Sequence, residues 1–143
     1  MISDPDKTYI GIDYGERRIG LAKSDPTGLI ASALVTLEVH SRKDALKQLQ
    51  EQFAEHHPRA LIVGYPLLAS GDKSEKCRQI DRFVEELRSI YEGPIHLVDE
   101  RHSSQEAASI IHAHGQKTGK DKRRIDRLAA VIILQRYLDE QTI

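Results

Sequence analysis

Four carboxylates in this chain fall where they could act together on one substrate: Asp13, the neighbours Asp99 and Glu100, and Asp126. Asp13 follows a β-rich run at 8–12, Asp99-Glu100 follows a short apolar run at 95–98, and Asp126 opens a stretch in which Ile125, Leu128, Ala129 and Ile132 repeat at helical spacing. Three acids meeting at one point repel, and without a cation at least one must hold a proton or stay apart. A divalent ion removes the conflict. Hard oxygen ligands with open water positions suit Mg²⁺ or Mn²⁺, and a pair of such ions can activate water and stabilise the leaving oxygen of a phosphodiester. Taken singly, each acid has a plainer reading: Asp13 before Gly15 suits a turn, and Asp126 is the negative charge that a helix start favours.

The cations are placed to match. Lys117, Lys120, Lys122, Arg123 and Arg124, set against Asp121, give the segment before Asp126 a local charge of about +4. Beside a carboxylate site such a loop would hold phosphates, which positions a backbone without reading its bases and makes binding salt-sensitive. Arg17, Arg18 and Lys23, flanking and within the second β-rich run, and Arg101 after Glu100 would extend the track. A solvated basic loop is the plainer reading here too. Seven histidines include His56-His57 and His112-x-His114, but no spacing among them makes a zinc site.

The elements that must position these groups can be read along the chain. Runs at 8–12 and 18–23 joined by Asp13-Tyr14-Gly15-Glu16-Arg17 predict a β-hairpin, and 29–39, after the turn Pro26-Thr27-Gly28, predicts a third antiparallel strand. Ser41 followed by Asp44 resembles a capping box, and Leu46, Leu49 and Phe53 share one face, so a helix is expected from about 42 to 56. Ala60-Leu61-Ile62-Val63 is unalternating and apolar, as in a parallel strand buried on both faces. Ile80, Phe83, Val84, Leu87 and Ile90 mark a second helix, stopped by Gly93-Pro94, and a short buried strand at 95–98 follows. Ser103 with Glu106 caps a third helix, a polar basic loop covers 114–124, and a last helix runs from about 124 to 139. The order predicts a mixed five-stranded α/β sheet, a three-stranded antiparallel meander plus two parallel strands, with helices on both faces. With the first strand central, Asp13 and Glu100 share the carboxyl edge, where such sheets place their sites. Strands are about 4.8 Å apart, so the fifth lies about 10 Å from the first, and the longer reach favours Glu100 over Asp99. Gly11 inside the first strand suggests that the last helix crosses there, as the small Ala129 and Ala130 would permit.

Length and composition set the outer bounds. At 143 residues one domain spanning 1–143 is expected, and with 39% apolar residues, 30% charged and a net charge of −1 the chain is neither disordered nor a bulk polyelectrolyte binder. Affinity for nucleic acid must then come from local clustering. One cysteine excludes an internal disulfide, the start lacks the signature of a secretory signal, and the longest apolar run falls far short of the roughly 20 residues that cross a bilayer. A cytoplasmic protein with no membrane partner is expected.

The motifs resemble one known family over nearly the whole chain. Gly11-Ile12-Asp13-Tyr14-Gly15 with Arg18-Ile19-Gly20 and Ser24-Asp25, Val63-Gly64 with Pro66-Leu67 and Gly71, Val98-Asp99-Glu100-Arg101 with Glu106-Ala107, and Asp126-Arg127-Leu128-Ala129-Ala130 are similar to the YqgF family, also described as RuvX-type Holliday junction resolvases. The resemblance implies an RNase H-like fold, a metal held by Asp13, Glu100 and Asp126, and a role in nucleolytic maturation of precursor 16S rRNA. Its alternatives are resolution of branched DNA, which needs a homodimer for two symmetric nicks, and a non-catalytic nucleic-acid-binding adaptor. Two departures stand out. The family's Leu-Pro-Leu-Asn is Tyr65-Pro66-Leu67-Leu68, which removes an Asn near the cleft, and its Thr pair is Ser103-Ser104, which keeps the hydroxyls. The first glycine motif also looks like the phosphate loop of actin-like kinases, but those need two large lobes and this chain has room for one.

Overall fold

The computed structural model describes residues 8–100, 110 and 122–141. In chain order they form β1 (Tyr9–Asp13), β2 (Arg18–Ser24), β3 (Ala31–Glu38), α1 (Arg42–His56), β4 (Ala60–Tyr65), α2 (Glu75–Leu87), β5 (Ile95–Asp99) and α3 (Lys122–Gln141). The strands make one sheet in the order β3-β2-β1-β4-β5. β1, β2 and β3 pair antiparallel, whereas β4 and β5 add in parallel to the other side of β1, so the mixed five-stranded sheet is as expected and β1 is central.

Alternation along the strands divides the side chains between two cores. Ile10 and Ile12, Ile19 and Leu21, and Leu61 and Val63 point to one face, where they pack with Leu49 and Phe53 of α1 and Ile80, Phe83 and Leu87 of α2. Ala22 and Ile62 point to the other face, under Ala130, Ile133, Leu134 and Leu138 of α3. β1 is therefore covered on both sides, and its short apolar run, without polar alternation, follows from that.

The second face is paved with small residues so that α3 can come close. A Cβ on Gly11 would lie 2.7 Å from Leu134 Cβ and 2.9 Å from the Ala130 carbonyl, so the glycine in β1 marks the crossing of the last helix. Gly20 on β2 sits directly beneath the Asp126 carbonyl in the same way.

α1 starts and ends where its sequence indicates. Ser41 Oγ accepts from Asp44 N at 3.0 Å, and the Asp44 carboxylate accepts from His40 N at 2.9 Å, so two otherwise orphaned amides are satisfied. β5, expected to be a buried strand, is instead the edge of the sheet, with His96 and Leu97 exposed, and the boundaries of two helices also differ from expectation. α3 begins at Lys122, so Lys122, Arg123 and Arg124 are its exposed first turn and not loop: Lys and Arg are good helix formers, and Arg123 ties the turn to β3 by bonding Glu38 while its carbonyl accepts from Thr36 Oγ1 at 2.6 Å. α2 stops at Leu87, and Ile90 packs on the core from the turn beyond it. The expected helix after Ser103 and the loop from 114 to 121 lie outside the described residues, as do Arg101, Lys117 and Lys120. Among the described residues no helix is long and apolar enough to cross a membrane.

Candidate active site

The carboxyl ends of β1, β4 and β5 share one edge, and α2 and α3 start there, as does α1 after β3. Three helix N-termini, each with a partial positive charge, thus surround one rim.

Asp13 is the last residue of β1 and follows Gly11 in the alternation, so its side chain belongs to the α3 face. It is 6% exposed, and its Oδ1 has no hydrogen-bond partner among the described residues. Burial raises its pKa to about 6, with the Lys76 charge opposing the rise and Asp126 adding to it. Glu100 directly follows β5; its amide donates to the Tyr65 carbonyl at 3.3 Å, and it is 5% exposed while Asp99 beside it faces outward. Burial lifts the Glu100 pKa to about 7, and the charge of Asp13 adds to the rise. Of the two neighbours, Glu100 is the buried one, and its charge and that of Asp13 act on each other.

How Glu100 spans two strand spacings is visible at Gly64. The acid lies across β4 there: a Cβ on Gly64 would sit 2.7 Å from Glu100 Cγ and 2.5 Å from Ile133 Cδ1. Only a glycine leaves that path open.

Asp126 lines the same cavity of about 390 Å³ as Asp13, Arg17, Arg18 and Lys76. Its carboxylate is engaged by Arg18, whose Nε donates to its Oδ2 at 2.7 Å. Among the described residues no three His, Cys, Asp or Glu side chains stand close enough to enclose an ion. Magnesium does not need such a cage, since it is usually held by one or two carboxylates together with substrate phosphate and water. Two adjacent buried carboxylates, one with an unpartnered oxygen, fit that ion.

The cations sort by position. Arg17 and Arg18 border the cavity, and Lys122 and Arg124 are exposed one turn before Asp126. Arg123 is engaged by Glu38. Lys23 is not at the site: it pairs with Ile10, three residues up the ladder from the Asp13–Gly20 pair, and borders a different cavity with Asp25 and His56. At about 3.4 Å per residue that is roughly 10 Å away. Conversely, Lys76 is a site residue that sequence reasoning missed. The available signal was Ser74, whose hydroxyl accepts from Cys77 N at 3.2 Å and caps α2 so that Lys76 falls in its first turn, at the carboxyl end of β4.

The two raised carboxyls set a pH dependence. Each holds its proton more tightly folded than unfolded, so the metal-free protein is expected to lose stability as pH rises from about 4 to 7 and to level off above that. Asp25, held down to about 2 by bonds from Thr27, Ile30 and Leu29, works in the opposite sense, but only below pH 4. Thermal denaturation in EDTA between pH 4.5 and 8 checks this; a melting temperature that climbs across the window would contradict the buried pair.

Comparison with known proteins bears on the family and the fold. Residues 7–140 match the family model described as RuvX: Holliday junction resolvase. A Chloroflexus aggregans protein provisionally named a pre-16S rRNA nuclease is 40% identical over 134 residues, 94% of each chain. A Roseiflexus protein of the same name is 40% identical over 141 residues, 99% of each chain. Among solved structures, Thermus thermophilus RuvC in complex with a Holliday junction substrate superposes with a TM-score of 0.56 at 15% identity, covering 94% of this chain and 95% of that one. Fowlpox virus resolvase with Holliday junction DNA gives 0.60 at 10% identity, covering 95% and 99%. At these identities the structural likeness concerns the fold, which is the RNase H-like one.

Proposed function

The chain belongs to the RuvX family of Holliday junction resolvases, and from that premise we propose that it is a divalent-metal-dependent nuclease that hydrolyses phosphodiester bonds of structured nucleic acid. One observation carries the reading: Asp13 and Glu100 are buried together at the carboxyl edge of the sheet, with Asp13 Oδ1 unpartnered. A pair of acids so placed is costly unless a cation joins it.

Asp13 and Glu100 would hold Mg²⁺ or Mn²⁺, with Asp126 completing the set once Arg18 turns from it to a substrate phosphate. When bound, the metal supplies an activated water and neutralises the oxygen that leaves phosphorus. The chain's own residues do the rest. Arg17 and Arg18 on the hairpin border the cleft, and together with Lys122 and Arg124 in the exposed first turn of α3 they hold the backbone without reading bases. Lys and Arg in the first turn of α3 oppose the helix dipole, a cost of some tenths of a kcal/mol each that a bound phosphate reverses. On their charge and place in the sequence alone, Arg101, Lys117 and Lys120 are further candidates for holding phosphate. The whole chain, 1–143, works as one domain in the cytoplasm.

Precursor 16S rRNA is the substrate we assign, on the names of relatives that match nearly end to end. The family description supports a second reading, resolution of branched DNA by a homodimer, since two symmetric nicks need two sites related by a twofold axis. A single assay separates them: a precursor rRNA fragment and a four-way DNA junction are offered in Mg²⁺, Mn²⁺ or EDTA, with the oligomeric state measured in parallel. Cleavage of the RNA alone by a monomer is expected. Paired nicks in the junction would favour the second reading, and metal-replete protein inert on both, though it binds them, would identify an adaptor.

A further inference from the structure

The cavity at Asp13 does not stop at the acids. A second cavity of about 250 Å³ shares Tyr14, Glu16 and Gln79 with it and ends at Arg82 and at Arg42, in the first turn of α1. The two form one groove, with α2 as a continuous wall. Along that wall stand Lys76, Gln79 and Arg82; the six steps from Lys76 to Arg82 climb roughly 9 Å. Measured along a duplex axis, where each nucleotide of a strand rises about 3.4 Å, that length corresponds to two to three steps.

Neither Lys76 nor Arg82 makes an ion pair among the described residues, while Arg42 is held by Glu86 and Lys73 by Asp81. Lys76 is half-buried, and its charge is felt by both Asp13 and Glu100. An ammonium ion that faces the metal-binding acids without bonding to them is set to meet a third party that is also negative. Glu16 is the acid on the opposite side, on the exposed hairpin turn, and it leaves the groove net positive.

We infer that the α2 wall, through Lys76 and Arg82, is a second phosphodiester-binding track, which holds the substrate strand on the side of the carboxylates away from the start of α3. The inference rests on the nuclease reading and deepens it. The cleft then grips backbone from two sides, with Lys76 at the scissile phosphate and Arg82 two to three nucleotides along. Gripping two segments at once suits a fold or branch better than an isolated strand.

Metal-free binding isolates the track from turnover. Fluorescence anisotropy in EDTA, over a series of salt concentrations, is measured with an RNA hairpin carrying a single-stranded flank and with a DNA four-way junction. Lys76→Gln and Arg82→Gln are each expected to weaken binding about 3- to 10-fold and to reduce the slope of log K against log salt by about 0.7 to 0.9, one phosphate's worth. Lys76→Arg should restore the slope. Arg88→Gln, an exposed cation just past the end of the same helix and outside the groove, should change neither quantity. Wild-type slopes in both groove variants, or an equal loss in Arg88→Gln, would overturn the track alone, since the wild type would still bind and cut. A wild type that binds neither probe would overturn the track and the nuclease reading together.

Discussion

Asp13→Asn is expected to lower phosphodiester cleavage by about 10³-fold or more, roughly 4 kcal/mol of lost transition-state stabilisation, while nucleic-acid binding in EDTA stays within a few-fold of wild type. The amide keeps the shape of the carboxylate and removes its charge, so a loss confined to turnover identifies the charge as the working part. The same substitution has a second consequence, of opposite sign. With its pKa raised from 3.8 to about 6, ionised Asp13 weakens the fold above pH 6 by on the order of 3 kcal/mol. An Asn avoids this cost but leaves a buried amide in want of partners, about 1 to 3 kcal/mol. The metal-free variant should therefore melt no lower than wild type at pH 7.5. Mg²⁺ should raise the melting temperature of the wild type at that pH and leave the variant unmoved, since only a ligand bound by the native state stabilises it. Cleavage at the wild-type rate by Asp13→Asn would remove this residue from the chemistry.

The parts of the fold that the sequence discloses are those set by local periodicity. Leu46, Leu49 and Phe53 mark one helical face and Ser41 its cap, and α1 runs from Arg42 to His56 as that pattern requires. The unalternating 60–63 reads as a buried parallel strand, and parallel pairing of β4 beside β1 then brings Asp13 and Glu100 to one edge. What periodicity does not carry is the fine contact. Lys76 lies in a polar stretch whose role depends on how the loop after Pro66 folds back, with Ser74 Oγ donating to the Pro66 carbonyl at 2.8 Å and Lys73 and Tyr65 both bonded to Asp81. Those bonds are non-local and leave no mark on spacing. The bond from Arg18 to Asp126 joins residues 108 positions apart, so a carboxylate with no evident partner in the sequence is engaged in the fold. Lys23 is the converse: its neighbours in sequence are near the site, but an extended strand carries it to the far end of the ladder.

Gly64→Ala should be nearly as damaging to cleavage as loss of an acid, although no acid is touched. The added methyl would stand 2.5 Å from Ile133 Cδ1 and 2.7 Å from Glu100 Cγ, so one of the two must yield. Ile133 is fully enclosed between α3 and the sheet, packed with Ile62, Ala130 and Leu134, and its displacement would open that core. Glu100 is held to Tyr65 by its backbone amide, but its side chain has rotatable bonds where it crosses β4, so it is the group that moves. Overpacking of this kind costs about 1 to 3 kcal/mol, and a shift of a reacting group by about 1 Å can cost 10²-fold in rate. The expected result is a fall in cleavage of about 10²-fold with a modest drop in melting temperature and metal-free binding intact. A cycle with Glu100→Ala locates the clash: once the Glu100 side chain is gone, Gly64→Ala should cost measurably less stability than it does in the wild type. Equal costs in both backgrounds would mean that Ile133 yields instead, and that Glu100 reaches Asp13 by a path that does not depend on the glycine beneath it.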